Sequence, residues 1–411
     1  MPHSGSRLLD RFLRYVAIPS QSSAQATVVP SSDGQWTLAS LLRDELNELG
    51  LKDVHLDEHC VLTAHLPANG PATAPRIGFC AHLDTVDVGL SPEMHPQILR
   101  YDGQDICLNP ERDIWLLADE HPELTPHIGQ DVVFTDGTSV LGADNKAAVA
   151  IVMDMLETVI ASGTPHGDVF VAFVPDEEIG LRGAKIMNLE RFPAEFAYTV
   201  DACASGEFVY ETFNAAQAKI TIDGVTAHPM AAKGVLVNPI LVATDLIARF
   251  DPHDTPEHTE GREGYCWVNG FSGDQATARL SVSIRDFDRT NFEKRKVDLQ
   301  KKVAATLAAF PRAAISCVIA DVYSNIASAM GNDRRCIALL EEAFAACGIT
   351  PNVIPMRGGT DGSALSARGI PTPNYFTGGL NFHSIYECLP LPAFAQASEV
   401  TLRLVTLAVQ A

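Results

Sequence analysis

The apolar positions of this chain change their period twice. In the first half, short unbroken apolar runs alternate with helical segments. "RIGFCAHLDT", "DVFVAFVPDEE" and "FAYTVDA" are too short for helices and continuous rather than alternating. That is the signature of strands buried on both faces. "GQWTLASLLRDELNELG" repeats apolar residues at three- and four-residue spacing and stops at Gly50, which predicts a helix with a glycine cap. "NKAAVAIVMDMLETVIA" predicts a second, largely buried helix. The opening "MPHSGSRLLDRFLRYVAI" sets Arg7, Asp10, Arg11 and Arg14 among apolar residues at helical spacing, and predicts an amphipathic helix rather than a signal peptide. Strands that alternate with helices predict an α/β domain with a mixed, mostly parallel sheet and helices on both faces. Ligands of such sheets sit beyond the carboxyl ends of the strands.

From about Asn214 the period becomes two. "QAKITIDGV" and "ARLSVSIRDFDR" alternate apolar and polar residues, as half-exposed strands do. Each is followed by a helical segment, "NPILVATDLIARF" and "FEKRKVDLQKKVAATLAAF", and "AISCVIADVY" closes the block. After Tyr323 the first pattern returns with "RRCIALLEEAFAACG" and "PTPNYFTGG". The pattern predicts a main domain in two parts, residues 1–213 and 324–411, with a smaller α+β domain, 214–323, inserted between them. The segment from Asp251 to Gly264, rich in proline and acid, predicts an exposed loop.

Charge narrows the functions open to the chain. The formal net charge is −21, which argues against nucleic acid as a partner through a basic face. No apolar run approaches the roughly 20 residues of a membrane span. Nine scattered cysteines without a CxxC pair favour reduced thiols and a cytoplasmic setting.

The acids pose a sharper problem. In "VPDEEIG", Asp176, Glu177 and Glu178 stand together at the end of a buried run, where burial worsens their repulsion. Other polar residues end the other runs: His82 and Asp84 in "CAHLDT", Asp144 in "LGADNK", Asp201 in "TVDA" and His383 in "GGLNFHS". Singly, each has an ordinary explanation. Asp144 makes a good helix cap, adjacent glutamates are usually a solvated pair, and a lone histidine is rarely a ligand. Together they form a zinc-type donor set, and Asp84 can orient His82. Two zinc ions would balance Asp144, Glu178, Asp201 and a bridging hydroxide. Glu177 is then left over as a general base. HExxH, GxSxG, GxGxxG and P-loop motifs are absent.

The blocks "AHLDT", "GADNK", "PDEEIG", "YTVDA", "FNAA", "AHPMAAKG", "RGGTDG" and "TGGLNFH" resemble the M20 metallopeptidases, and among them the aminotripeptidases. The resemblance runs over nearly the whole chain. It implies a zinc-peptidase catalytic domain with an inserted lid, two zinc ions per subunit and short peptides as substrates. His82, Asp144 and Asp201 would hold one zinc, and Asp144, Glu178 and His383 the other. Glu177 would be the base and Asp84 the orienter of His82. Arg357 would grip the peptide carboxylate, His228 would polarise the substrate carbonyl, in its own subunit or across a homodimer, and Asn214 would contact the substrate. Other M20 hydrolases (dipeptidases, carboxypeptidases, acyl-amino-acid deacylases) would share the metal site, and a non-catalytic peptide- or metal-binding protein would not need Glu177. Three residues depart from the family pattern: Asn145 where a second Asp is usual, Met230 after "HP" where Gly is usual, and Ser384 after His383 where Gly is common.

Overall fold

The three unbroken apolar runs become neighbouring strands. In the computed structural model, which describes residues 4–409, the chain begins with α1 (Ser4–Val16) and α2 (Asp33–Glu48), followed by β1 (Lys52–Leu56), β2 (Leu62–Leu66) and β3 (Ile77–His82). Residues 1–3 of the expected first helix lie outside the described part. After α3 (Ala143–Ser162) come β4 (Val169–Val174), the short α4 (Arg182–Ile186), β5 (Phe196–Ala202) and β6 (Glu207–Thr212). The next stretch holds β7 (Asn214–Asp223), α5 (Pro239–Ile247), β8 (Tyr265–Gly273), β9 (Thr277–Asp286), α6 (Arg289–Ala309), β10 (Ala314–Tyr323) and α7 (Ile326–Met330). The chain ends through α8 (Arg335–Ala346), β11 (Asn352–Met356), α9 (Asp361–Ala367), β12 (Asn374–Phe376) and α10 (Leu391–Leu407).

These elements form two compact units. One holds the chain up to Tyr210, Met330–Ile354 and everything from Thr360; the other holds Glu211–Ala329 and Pro355–Gly359. The large sheet has the order β1-β2-β4-β3-β5-β12-β6-β11. Its centre, β4-β3-β5-β12, is parallel. The pairs β1–β2, β2–β4 and β12–β6 are antiparallel.

Every residue of β3 and β4 is buried, as the unbroken runs require. On one face Cys80, Ala172 and Val174 join Met187, Phe192 and Leu365 of α9 in a shared core. The helix α3, apolar nearly all round, packs on β3 and β5. Large buried side chains such as Phe79, Phe173 and Tyr198 each stabilise the unit by about 1.5–3 kcal/mol. The end of α2 follows its sequence signal. Gly50 sits at φ 82°, its N–H reaches the Asn47 carbonyl and the Leu51 N–H reaches that of Leu46. A smaller sheet joins Cys388–Pro390 to Asp131–Phe134 and then to Gln97–Arg100, which brings the chain after His383 beside the chain that leads into α3.

In the second unit four antiparallel strands take the order β8-β9-β7-β10. Alternation sorts their faces. Ile220, Ile222, Val282 and Ile284 meet Val242 and Leu246 of α5 and Phe292 and Leu299 of α6. Gln217, Lys219, Thr221 and Ser281 take the opposite face. Asn238 caps α5 by accepting from the Ile240 N–H, and Asp288 caps α6 by accepting from that of Asn291. Among the described residues no helix is long and apolar enough to cross a membrane.

The turn after β4 is braced by α4. The Gly183 N–H donates to the Pro175 carbonyl at 2.9 Å, and a Cβ at Gly183 would stand 2.5 Å from that same oxygen. Gly183→Ala should therefore lower stability by about 1–3 kcal/mol, read from the urea midpoint. An unchanged midpoint would mean that α4 does not constrain this turn.

Candidate metal centre

Three parallel strands end side by side, and their ends carry the polar residues. His82 closes β3 in register with Val174 of β4. Asp201 lies near the end of β5, two residues beyond the Cys80–Thr199 pair. Glu177 and Glu178 follow β4. Asp144 precedes the regular part of α3: it and Asn145 lie outside helical φ/ψ. His383 sits at φ 61° in the loop before α10.

The fold brings these side chains together. His82 Nε2 lies 3.0 Å from Asp144 Oδ1, and His383 Nε2 lies 2.9 Å from Asp144 Oδ2. Each imidazole thus faces one oxygen of the same carboxylate. His383 Nε2 is also 2.9 Å from Glu178 Oε1, and His82 Nε2 is 3.8 Å from Asp201 Oδ1. Ligand atoms of His82, Asp144 and Glu178 lie within 4.8 Å of one another. Imidazole nitrogens and carboxylate oxygens converging at this spacing are a donor set suited to zinc.

The supports differ in detail from the sequence expectation. His82 Nδ1 is 3.0 Å from the Asp84 backbone carbonyl and 3.5 Å from its carboxylate. The chain leaves the strand at His82, so the nearer acceptor is the main chain. The Asp84 carboxylate accepts instead from the N–H groups of Glu177 and Glu178, at 2.9 and 3.2 Å. It therefore fixes the turn that carries both glutamates. Asp176 leaves the group altogether. Its backbone is left-handed, φ 57°, and its Oδ1 accepts from the Ser31 N–H, the Ser31 hydroxyl and the Gln35 amide. The three adjacent acids point to two different environments.

Glu177 is nearly buried, and its carboxylate takes no hydrogen bond among the described residues. Burial pushes its pKa well up; His82 opposes that rise, while Asp361, Glu178 and Asp201 add to it. Burial and Asp144 push Glu178 up to about 7 and Asp201 up to about 6. Burial alone would raise Asp144, but hydrogen bonds from His383 and His82 hold it far below the carboxylate range. His383, bonded to Asp144 and Glu178, rises to about 11. Burial would lower His82, yet hydrogen bonds to Asp144, Asp201 and Asp84 raise it. The two imidazoles are thus what lowers Asp144, while burial and neighbouring carboxylates raise the rest.

The remaining expected residues lie in the second unit. Asn214 is buried and its amide is occupied. Its Nδ2 donates to the carbonyls of Asp286 and Phe287, and its Oδ1 accepts from the Asn325 N–H. In this arrangement it staples strand ends, and the second lone pair of Oδ1 is what its side chain has left to offer a peptide. Arg357 lies over the rings of Phe213 and Tyr265, 5.1 and 5.6 Å from their centroids. One terminal nitrogen donates to the Glu263 carbonyl and, more weakly, to that of Gly261; the other reaches Thr259 Oγ1. The acidic segment expected as a loop is thus tied down at its end. His228 is exposed and accepts from the Met230 N–H through Nδ1 at 3.2 Å, which leaves the proton of a neutral ring on Nε2. Met230 itself is 89% exposed.

Ser384 has a visible role. Its hydroxyl donates to the Asn381 carbonyl and accepts from the Tyr386 N–H, closing the loop around His383. Nothing in the structure explains Asn145, whose side-chain oxygen is buried without a partner. Three buried charged residues near the cluster escaped the sequence reading. Asp361 follows Thr360 in "RGGTDG", and neither of its carboxylate oxygens has a hydrogen-bond partner among the described residues. Lys146 is fully buried and donates to the Ile18 carbonyl at 2.6 Å; burial lowers it to about 7 against the pull of Glu387 and Asp84. Glu387 follows His383 by four residues. For Lys146 and Glu387 the sequence signal was a charge set beside apolar residues; Asp361, between Thr360 and Gly362, had none.

The model of peptidase family M20/M25/M40 matches residues 141–407. A peptidase T-like protein of Yersinia pestis is 54% identical over 395 residues, 96% of each chain. Peptidase T of Geobacillus kaustophilus is 43% identical over 403 residues, 97% of this chain and 98% of the relative. Among solved structures, a tripeptidase from Staphylococcus aureus superposes with a TM-score of 0.78, at 22% identity and 99% coverage of both chains.

Asp176→Ala should cost about 1–3 kcal/mol, because it strands the half-buried Ser31 and buried Gln35 donors, and should leave metal uptake at the cluster unchanged. Thermal melts and metal titration of the variant test both parts. Loss of metal with unaltered stability would return Asp176 to the cluster.

Proposed function

The chain belongs to peptidase family M20/M25/M40, a family of metal-dependent enzymes, and from that premise we propose that it is a di-zinc aminopeptidase releasing the N-terminal residue of tripeptides. The observation that carries the reading is the Asp144 carboxylate, which presents one oxygen to each of two imidazoles. His82, Asp144 and Asp201 would hold one zinc, and Asp144, Glu178 and His383 the other. Bound there, the metals would polarise a scissile carbonyl and acidify a water. His82 Nδ1 donates towards the Asp84 carbonyl, which leaves Nε2 free to ligate.

Glu177 is the base in this reading. It lies next to a ligand in sequence, its carboxylate makes no hydrogen bond among the described residues, and its raised pKa suits a group that takes a proton from water and passes it to the leaving amine. His228, whose Nε2–H can donate to a carbonyl oxygen, and Arg357 are the substrate-binding residues of this reading. The contacts of Arg357 use at most three of its five N–H groups, and its Nε–H and one terminal N–H remain for a peptide carboxylate.

The solved structure of similar fold is called a tripeptidase, which supports tripeptides as the substrates. The more similar of the two relatives is called peptidase T-like, so substrate length is the feature most in need of a test. A free tripeptide should be cleaved roughly 5- to 150-fold more efficiently than its C-terminal amide, the effect of leaving part of the arginine fork unpaired. Equal efficiencies would remove Arg357 as a length gauge and favour another hydrolase activity of the family.

Glu177→Gln should keep its metal and lose turnover by roughly 10²–10⁴-fold; near-normal turnover would take Glu177 out of the mechanism. Metal affinity should rise from pH 5 to pH 8. Binding must displace a proton from His383, with its pKa near 11, and from whatever fractions of Glu178 and Asp201, near 7 and 6, are protonated. Higher pH makes each displacement easier. Zinc titration in buffers of different ionisation enthalpy counts the protons released; no release at pH 6 would contradict the ligand set.

A further inference from the structure

His383 sits at the tip of a narrow loop. Leu380 and Cys388 close its neck with a reciprocal pair of backbone hydrogen bonds, 2.8 and 3.1 Å. Cys388–Pro390 then pairs with Asp131–Phe134, the strand that leads towards Asp144. Glu387, at the neck, reaches across to that second stretch. Its Oε2 accepts from the N–H groups of Leu141 and Gly142 at 2.7 and 3.0 Å, and its Oε1 from the N–H of Asp144 at 3.1 Å. The carboxylate is 1% exposed. Lys146 is equally buried, and its hydrogen bond goes elsewhere, to the Ile18 carbonyl.

Three backbone donors converging on one buried carboxylate form a rigid joint, because each would be left unsatisfied if the acceptor moved. One of them is the amide of Asp144 itself. The loop's other contacts reach different partners: Asn381 donates to Glu123 Oε1 at 2.7 Å, and the Tyr386 ring packs against His121. The neck end is therefore the part that ties the His383 loop directly to the Asp144 turn.

We propose that Glu387 is a positioning residue for the metal centre: it clamps the His383 loop to the turn carrying Asp144 and so fixes the spacing of these two ligands. The inference rests on the metal reading of the cluster. Partners that orient ligands in this way typically change metal affinity 10- to 100-fold when removed.

The test uses the full-length protein, stripped of metal and titrated with zinc, and with cobalt(II) for its electronic spectrum. Glu387→Gln keeps the shape but turns an N–H donor towards backbone N–H donors. It should weaken zinc binding by about 10- to 100-fold, and the cobalt spectrum should shift. Glu387→Asp keeps the charge with a shorter reach and should fall between the two; it also serves if the Gln variant does not fold. Wild-type affinity and spectrum in a folded variant, even one with a lowered melting temperature, would show a merely structural role and overturn the inference. If the wild type takes up no metal, the metal reading fails and this inference falls with it. If the wild type binds and the variants match it, only the inference fails.

Discussion

Repulsion between buried carboxylates is the constraint on which the site depends. Asp144, Glu177, Glu178, Asp201 and Asp361 are gathered at the ends of three adjacent strands, out of water, with two imidazoles among them. Charges of one sign in such a place drive one another towards protonation. The shifts follow that logic: Asp144, which faces both imidazoles, stays ionised, while its neighbours are pushed upward. A pair of divalent cations would do the work of the imidazole protons with more charge at shorter range. Asp144, with one oxygen towards each imidazole, is the carboxylate that would serve two such ions.

The scaffold holds these charges by giving each piece of backbone a partner. Parallel strands β4, β3 and β5 bring His82, the Glu177–Glu178 turn and Asp201 to one end of the sheet, where a topology of this kind leaves its crevice. Asp84 then accepts from two amides of the glutamate turn, and Glu387 from three amides around Asp144. Neither carboxylate is aimed at the centre of the cluster. Both hold the peptide units from which the inward-facing residues project, an arrangement that fixes ligands through the main chain.

Much of this was legible in the sequence because burial leaves a pattern. Unbroken runs marked β3, β4 and β5, period-two alternation marked β7 and β9, and the acids and imidazoles at run ends marked the cluster. What was not legible depends on the direction of a side chain or on a distant partner. Asp176 reads like its neighbours, yet a left-handed backbone turns it towards Ser31 and Gln35. The antiparallel flanks of the large sheet leave no trace in strand composition. Asn214 and Arg357 were read from a family pattern, and only the folded chain reveals the carbonyls and rings that occupy them. Glu387 lies in sequence among apolar residues with no periodic signal, and its three partners are more than 240 positions away.

The central proposal is that Asp144 would hold two metal ions, each also held by one imidazole. Anomalous scattering from crystals grown with zinc measures this directly. The account predicts two peaks, each about 2.0–2.2 Å from a different oxygen of Asp144, one beside His82 Nε2 and the other beside His383 Nε2. A single peak, or two peaks that do not share Asp144, would contradict it.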